Sequence, residues 1–323
     1  MGKPDISVIV TVYNQDLRSI LISLESVVRQ RDVACEVVIT DDHSEESYER
    51  ELDAYFAMRA FSAYRYVRQP ENLQTVGNLL AALDACEGRY VKELGSGDLL
   101  YDDHVLHDIV EHLDATGARV GFGAMRQYEL TDGDAPRVCR FNAPHNARSY
   151  TGARGLGPQL FKRQVLRADW IPGPSQFYER ELYRTLLGTL YRDYAVRFCE
   201  DFTAALVLLE EDMAFFDRDL VWYEFGVGIS TSASASSVAR MYRDHSAFYR
   251  GLGRLRPGGS SHLPARFWYR VRRFIALKTP LYAMLHARTA RSYQAERDGS
   301  EPNGFLLEIL ATAASMEDRR SLA

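Results

Sequence analysis

The apolar positions of this chain follow two periods in turn. Ile6 to Val12 form an apolar, β-branched run closed by Tyr13-Asn14-Gln15-Asp16, the pattern of a buried parallel strand that ends in a loop. Leu17, Ile20, Leu21, Leu24, Val27 and Val28 then recur at spacings of three and four, which predicts an amphipathic helix. The alternation repeats. A strand at Glu36–Thr40 ends in Asp41-Asp42-His43-Ser44 and precedes an acidic helical stretch, and a short strand at 64–68 precedes a helix that starts after Asn72 and runs to Ala85, before Gly88. A fourth strand, Arg89–Leu94, runs into Gly95-Ser96-Gly97-Asp98 and is followed by a helix over about Asp102–Ala115. Four strand–helix alternations imply an α/β fold with a mostly parallel, Rossmann-like sheet flanked by helices.

Beyond Arg119 the pattern changes. Residues 119–150 are strand-like but broken by Gly and Pro, as in an added antiparallel portion. Segments 163–169 and 175–191 predict helices, Val196–Cys199 a short strand, Glu200-Asp201 the opening of a helix to Leu209, and Ala214–Phe216 and Leu220–Glu224 the last strands. A domain boundary is expected near residue 225, separating a catalytic domain, 1–225, from a helical C-terminal extension, 226–323, with helices at 236–252, 264–294 and 303–318. No internal repeat is evident.

Ligands of open parallel sheets bind beyond the carboxyl ends of the strands. Those ends carry Tyr13-Asn14, Asp41-Asp42 and Asp98, so the fold gathers them on one rim. The first turn lacks the Gly-x-Gly-x-x-Gly of a dinucleotide site, and no phosphate-binding lysine loop is present. An acidic rim suits a divalent cation bridging to a diphosphate, or hydrogen bonds to a base and ribose.

In order and spacing, several segments resemble the inverting family 2-like glycosyltransferases with the GT-A fold. They are Ser7-Val8-Ile9-Val10-Thr11-Val12-Tyr13-Asn14, Leu24 to Gln30, Glu36 to Ser44, Asn72-Leu73 with Asn78, Glu87-Gly88-Arg89-Tyr90-Val91, and Glu200-Asp201-Phe202. The resemblance implies a nucleotide-sugar donor, with UDP-hexose or UDP-N-acetylhexosamine as the commonest choice, and a glycan or lipid-linked saccharide acceptor in surface polysaccharide synthesis. It places Thr11, Tyr13 and Asn14 at the nucleoside, and one of Asp41 or Asp42 at the base or ribose. Asn72, Asn78, Ser96, Gly97 and Asp98 fall on the donor side. Asp201 is implied as the general base that takes the acceptor proton, with Glu200 orienting the acceptor or a neighbouring backbone group. Helix capping is an alternative role for Asp41 and for Glu200-Asp201.

The departure from the family lies at its metal motif. Where Asp-x-Asp is usual, the chain has Gly95, Ser96, Gly97 and then Asp98. Three readings stay open: Asp98 alone holds Mg²⁺ or Mn²⁺, Asp102 or Asp103 assists it, or transfer proceeds without metal. Trp222-Tyr223-Glu224 and the loop Gly226–Ser232 stand where relatives close over the diphosphate, and His245 is a weaker candidate for the same region. A non-catalytic nucleotide-sugar or glycan-binding module is the alternative, favoured by the depleted metal motif; a nucleotidyltransferase would need a Gly-rich basic loop that is missing.

Composition sharpens one point. The 323 residues carry 39 Lys and Arg against 44 Asp and Glu, a net charge of −5. Between His245 and Ala295 there are ten basic residues and no acidic one, which leaves −15 on the remainder. Arg266 to Lys278 interleave with Phe267, Trp268, Val271, Phe274, Ile275 and Leu277, a pattern for a helix on an anionic membrane surface or packed on the acidic domain. No nucleic-acid motif accompanies it. The absence of a long apolar run and of a leader-like start predicts a cytoplasmic protein, peripheral at the inner face of the membrane if the basic helix binds lipid. Cys35, Cys86, Cys139 and Cys199 are far apart and form no Cys-x-x-Cys, so reduced thiols are expected.

Overall fold

The computed structural model describes residues 2–131, 135–139, 150, 170–210, 213–227, 235–252 and 301–321. Nine strands form one sheet. They are β1 (Ile6–Val12), β2 (Cys35–Asp41), β3 (Tyr64–Arg68), β4 (Tyr90–Gly95), β5 (Leu99–Leu100), β6 (Val120–Leu130), β7 (Pro136–Cys139), β8 (Gln176–Glu179) and β9 (Ala214–Glu224). The order is β3-β2-β1-β4-β8-β6-β9-β5, with β7 paired to β6 outside that path. β3, β2, β1 and β4 are mutually parallel, β8 runs antiparallel to β4 and β6, and β9 is parallel to β6. The carboxyl ends of β1, β2, β4, β6 and β9 therefore share one rim, where β8 has its amino end.

The predominantly apolar character of β1 is explained by burial on both sheet faces. Val8, Val10 and Val12 enter one core with α1 (Leu17–Val28), α2 (Glu49–Met58) and α4 (Val105–Thr116). Ile9 points the other way, into a core with α3 (Gln74–Ala82), α5 (Arg180–Arg192), α6 (Phe202–Glu210) and α7 (Ala235–Leu252). This alternation is the strand period of two.

The expected α/β architecture holds, with three local differences. Gln176–Glu179 is a strand rather than the start of a helix, because it fills the slot between β4 and β6; helix α5 begins only at Arg180. Val196–Cys199 is not a strand: the amides of Arg197, Phe198 and Cys199 all donate to Asp244 Oδ2, at 3.0, 2.5 and 3.0 Å, so one buried carboxylate takes the place of a ladder. Residues 214–224 are one continuous strand, whose central charges are paired, Arg218 with Asp102 and Asp108, and Asp219 with Arg126 at 2.9 Å. The segments 163–169 and 264–294, and most of the basic stretch, lie outside the described residues. Among the described residues no helix is long and apolar enough to cross a membrane, and all four cysteines are free thiols.

Two helices beyond residue 225 pack onto the sheet domain from opposite faces. On α7, Phe248 and Tyr249 enter the α3–α5–α6 core. On α8 (Gly304–Ser321), Leu306, Ile309, Leu310 and Ala313 pack into the α1 side, where Arg29 also pairs with Glu308 at 3.1 Å and bonds Thr312. Ile309 is fully buried, so Ile309→Ala should destabilise the protein by about 2–5 kcal/mol in urea unfolding. A change below about 0.5 kcal/mol would show that α8 contributes little to the folded state.

Candidate active site

A cavity of about 610 Å³ opens at the shared rim. One wall begins at the end of β1 with Thr11 and the exposed Tyr13. Asp42 follows β2; its Oδ1 accepts the Leu73 amide at 2.6 Å, and burial raises its carboxyl above the ordinary range against the opposing pull of backbone amides. Asn72 Oδ1 accepts the Gln74 amide at 3.1 Å, turning the chain into α3, whose Asn78 is bonded to Thr40 through Oδ1 and Nδ2 at 2.5 and 3.2 Å. Thr11, Tyr13, Asp42, Asn72 and Asn78 all line the cavity.

Two neighbours do not. Asp41 Oδ1 accepts the Ser44 amide at 2.8 Å and its Oδ2 accepts the Tyr66 hydroxyl at 2.6 Å. Asn14, at φ +51°, accepts the Glu45 amide at 2.8 Å and donates its own amide to Ser44 Oγ at 2.9 Å. Both side chains brace the β1 and β2 turns rather than facing the cavity.

The segment after β4 is strapped in place. Ser96 Oγ donates to the Thr11 carbonyl at 2.7 Å, the Gly97 amide donates to Ser23 Oγ at 3.0 Å, and Tyr128 donates to the Gly97 carbonyl at 2.7 Å. Gly97 has φ +96°, where side chains are disfavoured, and a Cβ there would collide with Glu224 Oε2. Gly97 itself does not line the cavity; Ser96, Asp98 and Glu224 do. Asp98 Oδ1 accepts the Glu224 amide at 3.0 Å. Burial pushes the Asp98 carboxyl up to about 8, the Glu224 charge adds to this, and Lys92 opposes it. The Glu224 carboxyl is also raised, chiefly by burial, and its Oε2 is buried without a hydrogen-bond partner.

These features fit a divalent cation, which carboxylates and phosphate oxygens hold together. Asp102 and Asp103 stand outside the cavity lining: Asp102 pairs with Arg218 at 2.6 Å and Asp103 with Arg31 at 3.0 Å. Among the described residues, the three-residue cluster spaced for an ion is His107, Asp108 and Glu111 on α4, also away from the cavity.

The opposite wall is built by the turn before α6. The Glu200 and Asp201 carbonyls accept the Thr203 and Ala204 amides at 2.9 and 3.2 Å, so the backbone makes the turn while both carboxylates keep a face on the cavity. Burial and the charge of Glu93 push Asp201 up to about 7, and the amides of Asp201 and Phe202 pull the other way. Burial, Glu93 and Asp201 raise Glu200 well above the ordinary range. Glu93 projects from β4 and accepts the Tyr183 hydroxyl; burial raises its carboxyl too. At Gly173 a Cβ would collide with Glu200 Oε1 and lie 2.8 Å from Glu93 Oε1, so only glycine lets the two carboxylates approach this backbone together. Trp170 and His245 close the wall, His245 meeting the Trp170 ring and the buried Phe202 ring behind it edge-on at 5.6 and 4.9 Å while its Nδ1 lies 2.8 Å from the Met241 carbonyl.

The sheet therefore brings Thr11, Tyr13, Asp42, Asn72, Asn78, Ser96, Asp98, Glu200 and Asp201 to one cavity and leaves Asn14, Asp41 and Gly97 behind it. Glu93 was not anticipated. Its signal was the pair Lys92-Glu93 inside an otherwise apolar strand.

A curled α/β sheet with flanking helices and an acidic cavity at its strand ends is the GT-A architecture of glycosyltransferases. The profile described as Glycosyl transferase family 2 matches residues 7–186, more than half the chain, so the protein belongs to that family and is a glycosyltransferase. No curated protein sequence matches it. Among solved structures it is similar to S. aureus TarS 1-349 in complex with UDP-GlcNAc, at 16% identity and a TM-score of 0.56 over 86% of this chain and 74% of that one. The same TarS segment with UDP gives 15% identity and 0.53 over 85% and 75%. The mannosyltransferase PcManGT from Pyrobaculum calidifontis, in complex with GDP-Man and Mn²⁺, gives 16% identity and 0.54 over 98% and 81%.

Because Glu200 is raised, the folded state holds a proton that the unfolded chain releases, and stability falls as pH rises above the ordinary carboxylate range. Each such proton contributes a slope of up to about 1.4 kcal/mol per pH unit. Glu200→Gln removes this penalty, so the variant should gain stability over wild type in urea melts at pH 8 and gain less at pH 5.

Proposed function

We propose that the protein is an inverting glycosyltransferase that moves a hexose or N-acetylhexosamine from a UDP donor to a glycan or lipid-linked glycan acceptor in surface polysaccharide synthesis. The observation that carries this reading is that one cavity is lined by Asp98 on its donor side and by Asp201 on its other wall. The nucleotide-sugar complexes of TarS and PcManGT support the donor class, and the Mn²⁺ in the latter supports a divalent cation.

In this reading Thr11, Tyr13 and Asp42 hold the nucleoside, with Asn72 and Asn78 shaping that wall, and Ser96 and Asp98 face the diphosphate. Bound Mg²⁺ or Mn²⁺ would neutralise the charge that develops on the leaving diphosphate. Asp201 takes the acceptor hydroxyl proton as the acceptor oxygen bonds to the anomeric carbon and the sugar–phosphate bond breaks, in line and on opposite faces. A base raised to about 7 is well placed for this, because it is substantially ionised near neutrality and still basic enough to accept a proton. Glu200 orients the acceptor, and Trp170 offers an aromatic face to a sugar. Residues 1–225 form the catalytic domain and 226–323 the extension. The ten uncompensated positive charges after His245 support attachment to an anionic membrane surface on the cytoplasmic side.

Slow donor hydrolysis across a panel of nucleotide sugars, with and without Mg²⁺ or Mn²⁺, tests donor and metal together; hydrolysis of no UDP-sugar would overturn the donor assignment. Asp201→Asn should reduce transfer by at least about 10²-fold, the low end of the usual acid–base contribution, while donor affinity stays within a few-fold. Wild-type kcat should fall with decreasing pH through an apparent pKa near 7. Glu93→Gln removes a negative charge that raises Asp201, so its acid limb should move to lower pH. A limb that stays in place would remove Asp201 as the group it reports.

A further inference from the structure

Glu224 ends β9 on the same cavity as Asp98. Its Oε2 is buried and accepts no hydrogen bond, a costly state for a carboxylate oxygen unless a cation completes it. The side chain also occupies a defined place. A Cβ on Gly97 would collide with that same Oε2, so Glu224 fills the space that a side chain at position 97 would need. Asp98 is fixed beside it: its Oδ1 accepts the Glu224 amide at 3.0 Å, and its Oδ2 lies 3.1 Å from where a Cβ on Gly95 would stand.

The register is held from both sides. β5 pairs with β9 through Leu99 opposite Trp222 and Leu100 opposite Val221, immediately after Asp98 and two residues before Glu224. The Phe225 amide donates to the Tyr128 carbonyl at 2.7 Å, while the Tyr128 hydroxyl supports the Gly97 carbonyl at the same distance. Charge on nearby Arg18 eases the ionised form of Glu224, yet Oε2 takes no hydrogen bond from it. Lys92 is committed to the carbonyls of Glu93 and Pro174.

We infer that Glu224 and Asp98 together hold the divalent cation, Mg²⁺ or Mn²⁺, with Glu224 supplying from the end of β9 the second carboxylate that Gly95 and Gly97 cannot. The inference rests on the reading of Asp98 at the donor diphosphate. One carboxylate from the turn after β4 and one from the end of β9, with phosphate oxygens and water, would satisfy the octahedral oxygen shell that Mg²⁺ demands and that Mn²⁺ accepts.

Mn²⁺ binding to the full chain, followed by the EPR signal of free Mn²⁺ with UDP present, tests this without reference to turnover. Wild type should bind Mn²⁺, and both Glu224→Gln and Asp98→Asn should weaken it at least fivefold. The metal-free unfolding temperature of Glu224→Gln should be no lower than that of wild type, since a buried charge is removed, and the Mn²⁺-induced rise seen in wild type should shrink. A fivefold loss is not met if Glu224→Gln binds Mn²⁺ nearly as wild type does; that result overturns the role of Glu224 while leaving the donor site intact. A metal-free unfolding temperature that drops in Glu224→Gln also overturns it, because the residue is then structural. If wild type binds no Mn²⁺, the inference fails outright, and UDP binding measured by calorimetry in EDTA shows separately whether the donor site survives.

Discussion

Carboxylates that share a partly dehydrated cavity repel one another, and the rest of this structure is organised around tolerating that repulsion. Glu93, Asp98, Glu200, Asp201 and Glu224 all face one cavity, and burial raises every one of them above the ordinary range. No local preference of the chain would bring these groups together. The sheet does so because its strand ends coincide, and the apolar cores on its two faces supply the favourable free energy against which this repulsion is set. Helices α7 and α8 belong to that support. One places Asp244 beneath the 197–199 amides that lead to Glu200, and the other covers α1, whose Ser23 holds the Gly97 amide.

Legibility in the sequence followed how local each interaction is. The β1–α1–β2 alternation and the strand-end positions of Asp42 and Asp98 could be read because strand period and loop position are local properties. The choice between Asp41 and Asp42 could not. It depends on Tyr66, a residue of β3 whose hydroxyl claims Asp41 Oδ2 and leaves Asp42 for the cavity. The same holds for Val196–Cys199, which reads as a short strand until Asp244, more than forty residues later, is seen to take its amides. Gln176–Glu179 has the composition to continue a helix, and only the vacancy between β4 and β6 makes it a strand.

The two glycines of Gly95-Ser96-Gly97-Asp98 show how far a missing motif can mislead. Read along the chain, the segment has lost carboxylates. In space, Gly97 is compatible with its neighbour because it has no side chain: Glu224 sits where that side chain would be, so acidic character near Asp98 is restored from a strand more than 120 residues away. Gly173 repeats the logic on the other wall, where its bare Cα admits Glu93 and Glu200 together.

Lys92 joins the two walls. It is fully buried on β4 with its ammonium on the Glu93 carbonyl, and burial lowers it to about 8 while the charges of Glu93 and Asp98 resist that fall. One cation thus offsets a carboxylate on each wall of the cavity, Glu93 on one and Asp98 on the other. Its field favours the ionised form of Asp98, where a diphosphate and its cation would bind, and of Glu93, whose charge in turn raises Asp201. Asp98 and Asp201 are thus linked electrostatically through Lys92 and Glu93, adjacent residues of a single strand. Strand β4 holds Lys92 and Glu93 in fixed register, and the burial of both side chains keeps away the water that would screen them.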